Sequence, residues 1–174
     1  DSGYAGVPMT AHHNTMLIDG KGQAKEGAGH NAFNGVPYSR LDQIRIVKVE
    51  PQKDGVAVVA DPAAAYEPKF GLKKFLRTFH VTRSSVSIVD QISASEPHVY
   101  STVIHFDGPE KPDGLKLEVL EPKGAVTQLE PNRLTAPGPP GSVDKGPKEI
   151  RGSRLVVSTP SAVRDAQFRV TLSF

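Results

Sequence analysis

The chain has 174 residues, with 21 Lys and Arg against 19 Asp and Glu, and its net charge of +2 is spread without a basic stripe. That length can bury one sizeable core, the charge pattern lacks the footprint of a nucleic-acid domain, and the absence of Cys excludes disulfide scaffolds and thiolate metal clusters. No apolar run approaches the roughly 18 residues of a membrane-spanning helix, and 16 Gly with 15 Pro disfavour a helical bundle.

In chain order, residues 1–10 carry Gly3, Gly6 and Pro8 and read as loop. Thr15–Ile18 is a short strand ended by the Asp19-Gly20 turn signal. Residues 21–39 form a long polar, Gly-rich loop, a kind of segment that is usually functional or mobile. Ile44, Ile46 and Val49 mark a strand, and Pro51–Gly55 a turn. Val56–Ala60 is a strand, and Ala63–Ala65 a short helical turn or loop. Lys73–Val81 and Val86–Val89 are strands joined by a turn at Thr82-Arg83-Ser84. Val99–Phe106 is a longer strand. Leu115, Leu117 and Val119 alternate with Lys116 and Glu118, as a half-buried strand requires. Ala125–Leu129, Leu155–Ser158 and Phe168–Phe174 complete the set, with a second long loop over 131–148. About ten short strands at this spacing predict an all-β fold, one antiparallel two-sheet sandwich over 1–174.

The candidate chemistry is concentrated in histidine. His12 and His13 adjoin Asn14-Thr15 at the start of a strand. Neighbouring residues on a strand point to opposite faces, so the two do not chelate one ion together. One of them can join distant ligands such as Asp1, since imidazole and carboxylate form a plausible zinc set when three or four protein ligands assemble. Loop histidines bonded to backbone are the alternative. His105 lies in the apolar run Val103–Phe106 and reads either as a satisfied core histidine or as a cleft residue. His80 reads as an outward strand residue and His98, after Pro97, as a turn residue. Tyr4 is one of four tyrosines, and a tyrosine can serve as a general acid or base. Arg77 and Asp90 fall on neighbouring strands and are expected to pair across a hairpin. Phosphate-loop, Gly-x-Ser-x-Gly and His-Glu-x-x-His signatures are absent.

At these same residues a family resemblance emerges. Asp1-Ser2-Gly3-Tyr4, followed by Ala11-His12-His13-Asn14-Thr15-Met16-Leu17-Ile18-Asp19-Gly20-Lys21-Gly22-Gln23, resembles the central signature of the heparinase II/III-like polysaccharide lyases, which include heparinases II and III and oligoalginate lyases. Val59–Tyr66, Phe75–Thr78, Val86–Ile92 and His98–Phe106 resemble further family segments in the same order. Two departures are visible: the loop between Tyr4 and His13 is short, and Thr102 or Val103 stands where a Trp is usual.

The resemblance implies a C-terminal β-sandwich that follows an N-terminal (α/α) toroid absent from these 174 residues. It implies β-elimination on a uronate-containing acidic polysaccharide of glycosaminoglycan or alginate type, with no organic cofactor. Asp1 and His13 match metal ligands of the family, commonly zinc, whereas His12 fills a position that is not a ligand there. Further ligands and the main catalytic residues are expected upstream. Tyr4 and His105 are the cleft candidates within the chain. The resemblance further implies a periplasmic or secreted protein, inactive as this sandwich alone, with neither nucleic acid nor membrane as partner. The start at Asp1, without Met or a leader segment, is expected to be a cut just after two metal-site histidines. The competing expectation is a non-catalytic carbohydrate-binding or scaffold module, against which the lack of Trp argues.

Overall fold

The structure is a computed structural model that describes residues 10–24, 36–133 and 149–174. Ten strands occur among them: β1 (Met16–Ile18), β2 (Arg45–Gln52), β3 (Gly55–Asp61), β4 (Leu72–Thr82), β5 (Ser85–His98), β6 (Tyr100–Phe106), β7 (Leu115–Glu121), β8 (Val126–Arg133), β9 (Glu149–Ser158) and β10 (Val163–Ser173). They form a four-stranded sheet in the order β1-β6-β9-β8 and a six-stranded sheet in the order β2-β3-β4-β5-β10-β7. Every pairing is antiparallel, as the strand spacing predicts.

Side chains alternate across each strand, so one face of each sheet enters the core. On the six-stranded sheet the register aligns Phe75 with Ile92 and Ile92 with Ala166, and four residues further on Phe79 with Ile88 and Ile88 with Val170. Between these apolar rows lies the row Arg77, Asp90, Phe168. The four-stranded sheet supplies Met16, Ile18 and Tyr100, which pack with Tyr66, Phe70, Phe75, Ile92 and Phe168 in the main cluster. A second cluster joins Ile104 to Leu115 and Val170.

The connection between β3 and β4 plugs one end of this core. Ala63–Ala65 and Pro68–Phe70 form turns of 3-10 helix. Between them Tyr66 is 1% exposed, packs against the Phe75 ring and donates its hydroxyl to the Met16 carbonyl at 2.7 Å. Nearby, the Ala24 N–H reaches the Ala65 carbonyl at 2.7 Å.

Several elements differ from the sequence expectation. β5 runs 14 residues, from Ser85 to His98, rather than ending at Val89. Its second half alternates Ile92 and Ala94 inward with Gln91, Ser93 and Ser95, and its length lets it pair with both β4 and β10. A one-turn helix, Tyr38–Leu41, occupies the end of the expected 21–39 loop, and β8 reaches Arg133, into the expected 131–148 loop. The remainder of both loops lies outside the described residues.

Candidate functional site

The Ala11–Asn14 segment carries both adjacent histidines and does not have the strand geometry assumed from the sequence. Thr10–His12 is a turn of 3-10 helix, and His13 and Asn14 are exposed bends ahead of β1. His12 and His13 therefore need not point to opposite faces. Two hydrogen bonds tighten the turn: His13 N–H to the Thr10 carbonyl at 3.1 Å, and Gln23 N–H to the Thr10 hydroxyl at 2.7 Å.

His105 stands beside this segment. On β6, Ile104 faces the core, so alternation turns His105 to the opposite face. There the register sets His105 opposite Arg154 and Arg154 opposite Glu130, a row running from β6 through β9 to β8. Arg154 Nε and Nη2 donate to Glu130 Oε2 at 2.9 and 2.7 Å, and its Nη1 donates to the Ala11 carbonyl at 3.3 Å. Asn14 Oδ1 accepts the His105 main-chain N–H at 2.8 Å and lies 3.2 Å from His105 Nδ1. Burial pushes the His105 ring down to about 4; the charges of Arg154, His12 and His13 add to this, against a hydrogen bond to the Ala11 carbonyl. At neutral pH the ring is therefore uncharged, and a neutral imidazole carries one N–H and one lone pair.

Arg77 approaches the same segment from the other sheet. Its Nε and Nη2 meet the two Asp90 oxygens at 2.7 Å each, and Nη1 donates to the Asn14 carbonyl at 3.0 Å. The Asp90 side chain is 1% exposed and the Arg77 side chain 12%. Burial opposes the Arg77 charge, but the Asp90 carboxylate more than compensates and raises its pKa. The expected cross-hairpin pair therefore exists, and it also supports a loop that the sequence argument had not connected to it.

The other predicted positions are also placed. His80 is exposed on β4, as expected. His98 ends β5, with Nδ1 2.7 Å from Asp19 Oδ2 and Nε2 3.0 Å from the Phe70 carbonyl. Asp1 and Tyr4 lie outside the described residues, as does His30. Among the described residues, no group of three or more His, Cys, Asp or Glu side chains is arranged to hold a metal ion. Of the predicted site residues, the structure thus brings His13 and His105 to one corner of the sandwich. Sequence reasoning marked Asn14 only as the neighbour of the two histidines, without its contact to His105, and missed Arg154 and Glu130. The period-two pairing of Arg154 with Glu130 becomes visible only once the β8–β9 register is known.

These features define a two-sheet antiparallel sandwich with an imidazole-bearing segment fixed at the edge of its smaller sheet. A family model described as heparinase II/III-like, C-terminal, matches residues 7–153, and the chain belongs to that family. In structure it is similar to a heparinase III, with a TM-score of 0.63 and 14% identity over 95% of this chain and 24% of that one. It is similar also to the heparan sulfate lyase HepC from Pedobacter heparinus, with a TM-score of 0.60 and 11% identity over 95% of this chain and 25% of that one. The chain thus spans about a quarter of the length of these solved structures. No curated protein matches it in sequence.

Proposed function

We propose that this sandwich is the C-terminal part of a polysaccharide lyase that cleaves a uronate-containing acidic polysaccharide by β-elimination. The observation that carries the reading is the family match over residues 7–153; the similarity of fold to a heparinase III and to a heparan sulfate lyase supports it. In such a reaction a base removes the proton α to the uronate carboxyl group, charge develops on that carboxyl, and the C4–O bond breaks to leave an unsaturated uronate. The physical requirements are hydrogen-bond donors or positive groups at the developing charge and a base with a suitable pKa.

Within this chain, His105 is the group best suited to such a cleft. Its ring is uncharged at neutral pH, and Asn14 and the Ala11 carbonyl orient it. Tyr4 is the second candidate. The remaining catalytic groups are assigned to a preceding helical domain, without which the sandwich is inactive. A structural divalent metal, zinc by the family resemblance, is proposed for the intact enzyme, with Asp1 and His13 among its ligands. His13 is exposed, so its ring is available to a ligand. A periplasmic or secreted location belongs to the same reading.

The test is to incubate the longer polypeptide that contains this domain with heparan sulfate, heparin, chondroitin sulfate and alginate, and to follow the ultraviolet absorbance of the unsaturated uronate. Product from at least one of them is expected. No product from any, with a folded and metal-loaded protein, overturns the reading.

A further inference from the structure

The segment that bears His12 and His13 is held at its two ends by arginines from different sheets. At its start Arg154, on β9 of the four-stranded sheet, donates Nη1 to the Ala11 carbonyl. At its end Arg77, on β4 of the six-stranded sheet, donates Nη1 to the Asn14 carbonyl. Each guanidinium is itself fixed by a carboxylate: Glu130 takes two N–H groups of Arg154, and Asp90 takes two of Arg77. The Asn14 side chain then ties the same segment to β6 through the His105 N–H.

Folding alone does not explain this arrangement. His13 and Asn14 are exposed, and water can satisfy the carbonyls of an exposed loop. Sinking the Arg77–Asp90 pair into a row flanked by Phe75–Ile92 and Phe79–Ile88 carries a desolvation cost that packed hydrophobic residues would avoid. A guanidinium supplies a rigid planar fork with a donor to spare, so one face can grip the carboxylate while the remaining N–H aims at a fixed point. Two such forks aim at the two ends of the histidine segment.

We infer that Arg77 and Arg154 are positioning residues, which fix the His12–His13 segment relative to both sheets so that its imidazoles meet a ligand in one set geometry. The inference rests on reading this corner as part of the lyase cleft, and it adds how the corner is held. Neither arginine touches the reacting atoms; each acts through the segment that it grips. A misplacement of about 1 Å at such a distance from the chemistry can cost about 100-fold in rate, so loosening either grip is expected to appear in kcat rather than in KM.

The test uses Arg77→Lys and Arg154→Met in the full chain. A lysine cannot span both Asp90 oxygens and still reach the Asn14 carbonyl. Arg154→Met frees the Glu130 side chain, 38% exposed, to water, so this variant folds even if the first does not. The NMR signals of the His12, His13 and His105 rings are followed, with His98 as the internal control because it is held by Asp19 beyond the other end of β1. The expected result is that the His12 and His13 signals shift or broaden in at least one folded variant while His98 is unchanged. If both sets of signals stay in place in every variant that folds, and those variants merely melt earlier, the arginines serve folding alone and the inference is overturned. In the longer polypeptide the same variants should lower kcat by about 10- to 100-fold at little-changed KM. A polypeptide that cleaves no acidic polysaccharide overturns the function proposed above, while the ring signals still decide the positioning role.

Discussion

Tyr66 shows how one residue can join two parts of this fold. Its ring packs on Phe75, and its hydroxyl is the partner of the Met16 carbonyl on the edge of β1. Burial pushes the phenol up to about 12, so it stays a neutral donor across the physiological range. Tyr66→Phe keeps the ring and removes the donor. The variant should lose about 1–3 kcal/mol, the cost of an unsatisfied buried acceptor, as read from urea unfolding. Asp19 works at the other end of β1. It sits in the left-handed region at φ 51°, accepts the Val99 N–H at 2.9 Å and faces His98. Burial works against its charge, but the Val99 and His98 hydrogen bonds hold its carboxyl below the usual value of 3.8. A carboxyl depressed in the folded state adds stability above its unfolded pKa, and that stability is lost as pH falls through the lower folded value. Asp19→Asn tolerates the left-handed turn but cannot carry this charge. The wild type should therefore melt higher than Asp19→Asn near neutrality, and the gap should narrow below about pH 4. A gap that is constant down to the acid limit would show that charge plays no part. At this scale His105 was only half legible in the sequence. Its apolar neighbours Val103, Ile104 and Phe106 read as core, and it takes the alternation of β6 to place the ring on the face with Arg154 and Glu130.

The strands themselves were largely legible, because Val, Ile, Phe and Leu alternate with polar residues and Gly or Pro marks most turns. The misses have specific physical causes. Beyond Val89, β5 presents Gln91, Ser93 and Ser95 on its outer side, Glu96 is exposed, and Pro97 reads as a breaker; pairing with β4 and β10 overrides that weak local signal. β2 was legible as a strand through Ile46 and Val49, but it runs on through Pro51 and Gln52, which read as turn and pair with Val56 and Gly55; its exposure was not legible. The six-stranded sheet extends beyond the four-stranded one, leaving Ile46 64% and Val49 59% exposed on a strand that pairs on one side only. Hydropathy reads the same residues as core. Substitutions there bury nothing less than before, so Ile46→Thr or Val49→Thr should change stability by no more than about 0.5 kcal/mol. Gly55 is the opposite case. It opens β3 opposite Thr82, and a Cβ at that position would strike the Val81 carbonyl of β4. Because the obstacle is backbone rather than a flexible side chain, the strands must part. Gly55→Ala should cost at least about 1–3 kcal/mol, the range for overpacking, in a thermal or denaturant melt. A neutral effect would mean that the β2–β3 turn shifts freely.

For the whole molecule, the decisive relation is between the sandwich and the corner where its two sheets meet at β1. The ordered motifs of residues 11–23 and 59–106 made the family legible in the sequence. What they could not reveal is that Arg77, Asn14, His105 and Arg154 converge on one segment, because that convergence depends on sheet order β1-β6-β9 and on β4 lying across the core from β1. The same geometry bears on the proposed metal. Among the described residues only His13 of the expected ligand pair is present, and no cluster of three ligands stands near it. A tetrahedral structural site needs four ligands, and the proposed site draws part of its set from outside these 174 residues; on that proposal the chain alone should bind zinc weakly, and tight binding in calorimetry would contradict the dependence on ligands from elsewhere. In the longer polypeptide, His13→Ala removes a ligand from a site proposed to hold the segment rather than to perform the chemistry. Metal affinity should then fall by at least about 10- to 100-fold, the loss seen even for outer-shell partners, and the melting temperature should fall with it. After correction for the folded fraction, kcat on the cleaved polysaccharide should fall by less than the metal affinity. Measuring bound metal, melting temperature and kcat on the same preparations separates the two roles: a kcat collapse at full metal occupancy would make His13 a catalytic group instead of a structural ligand.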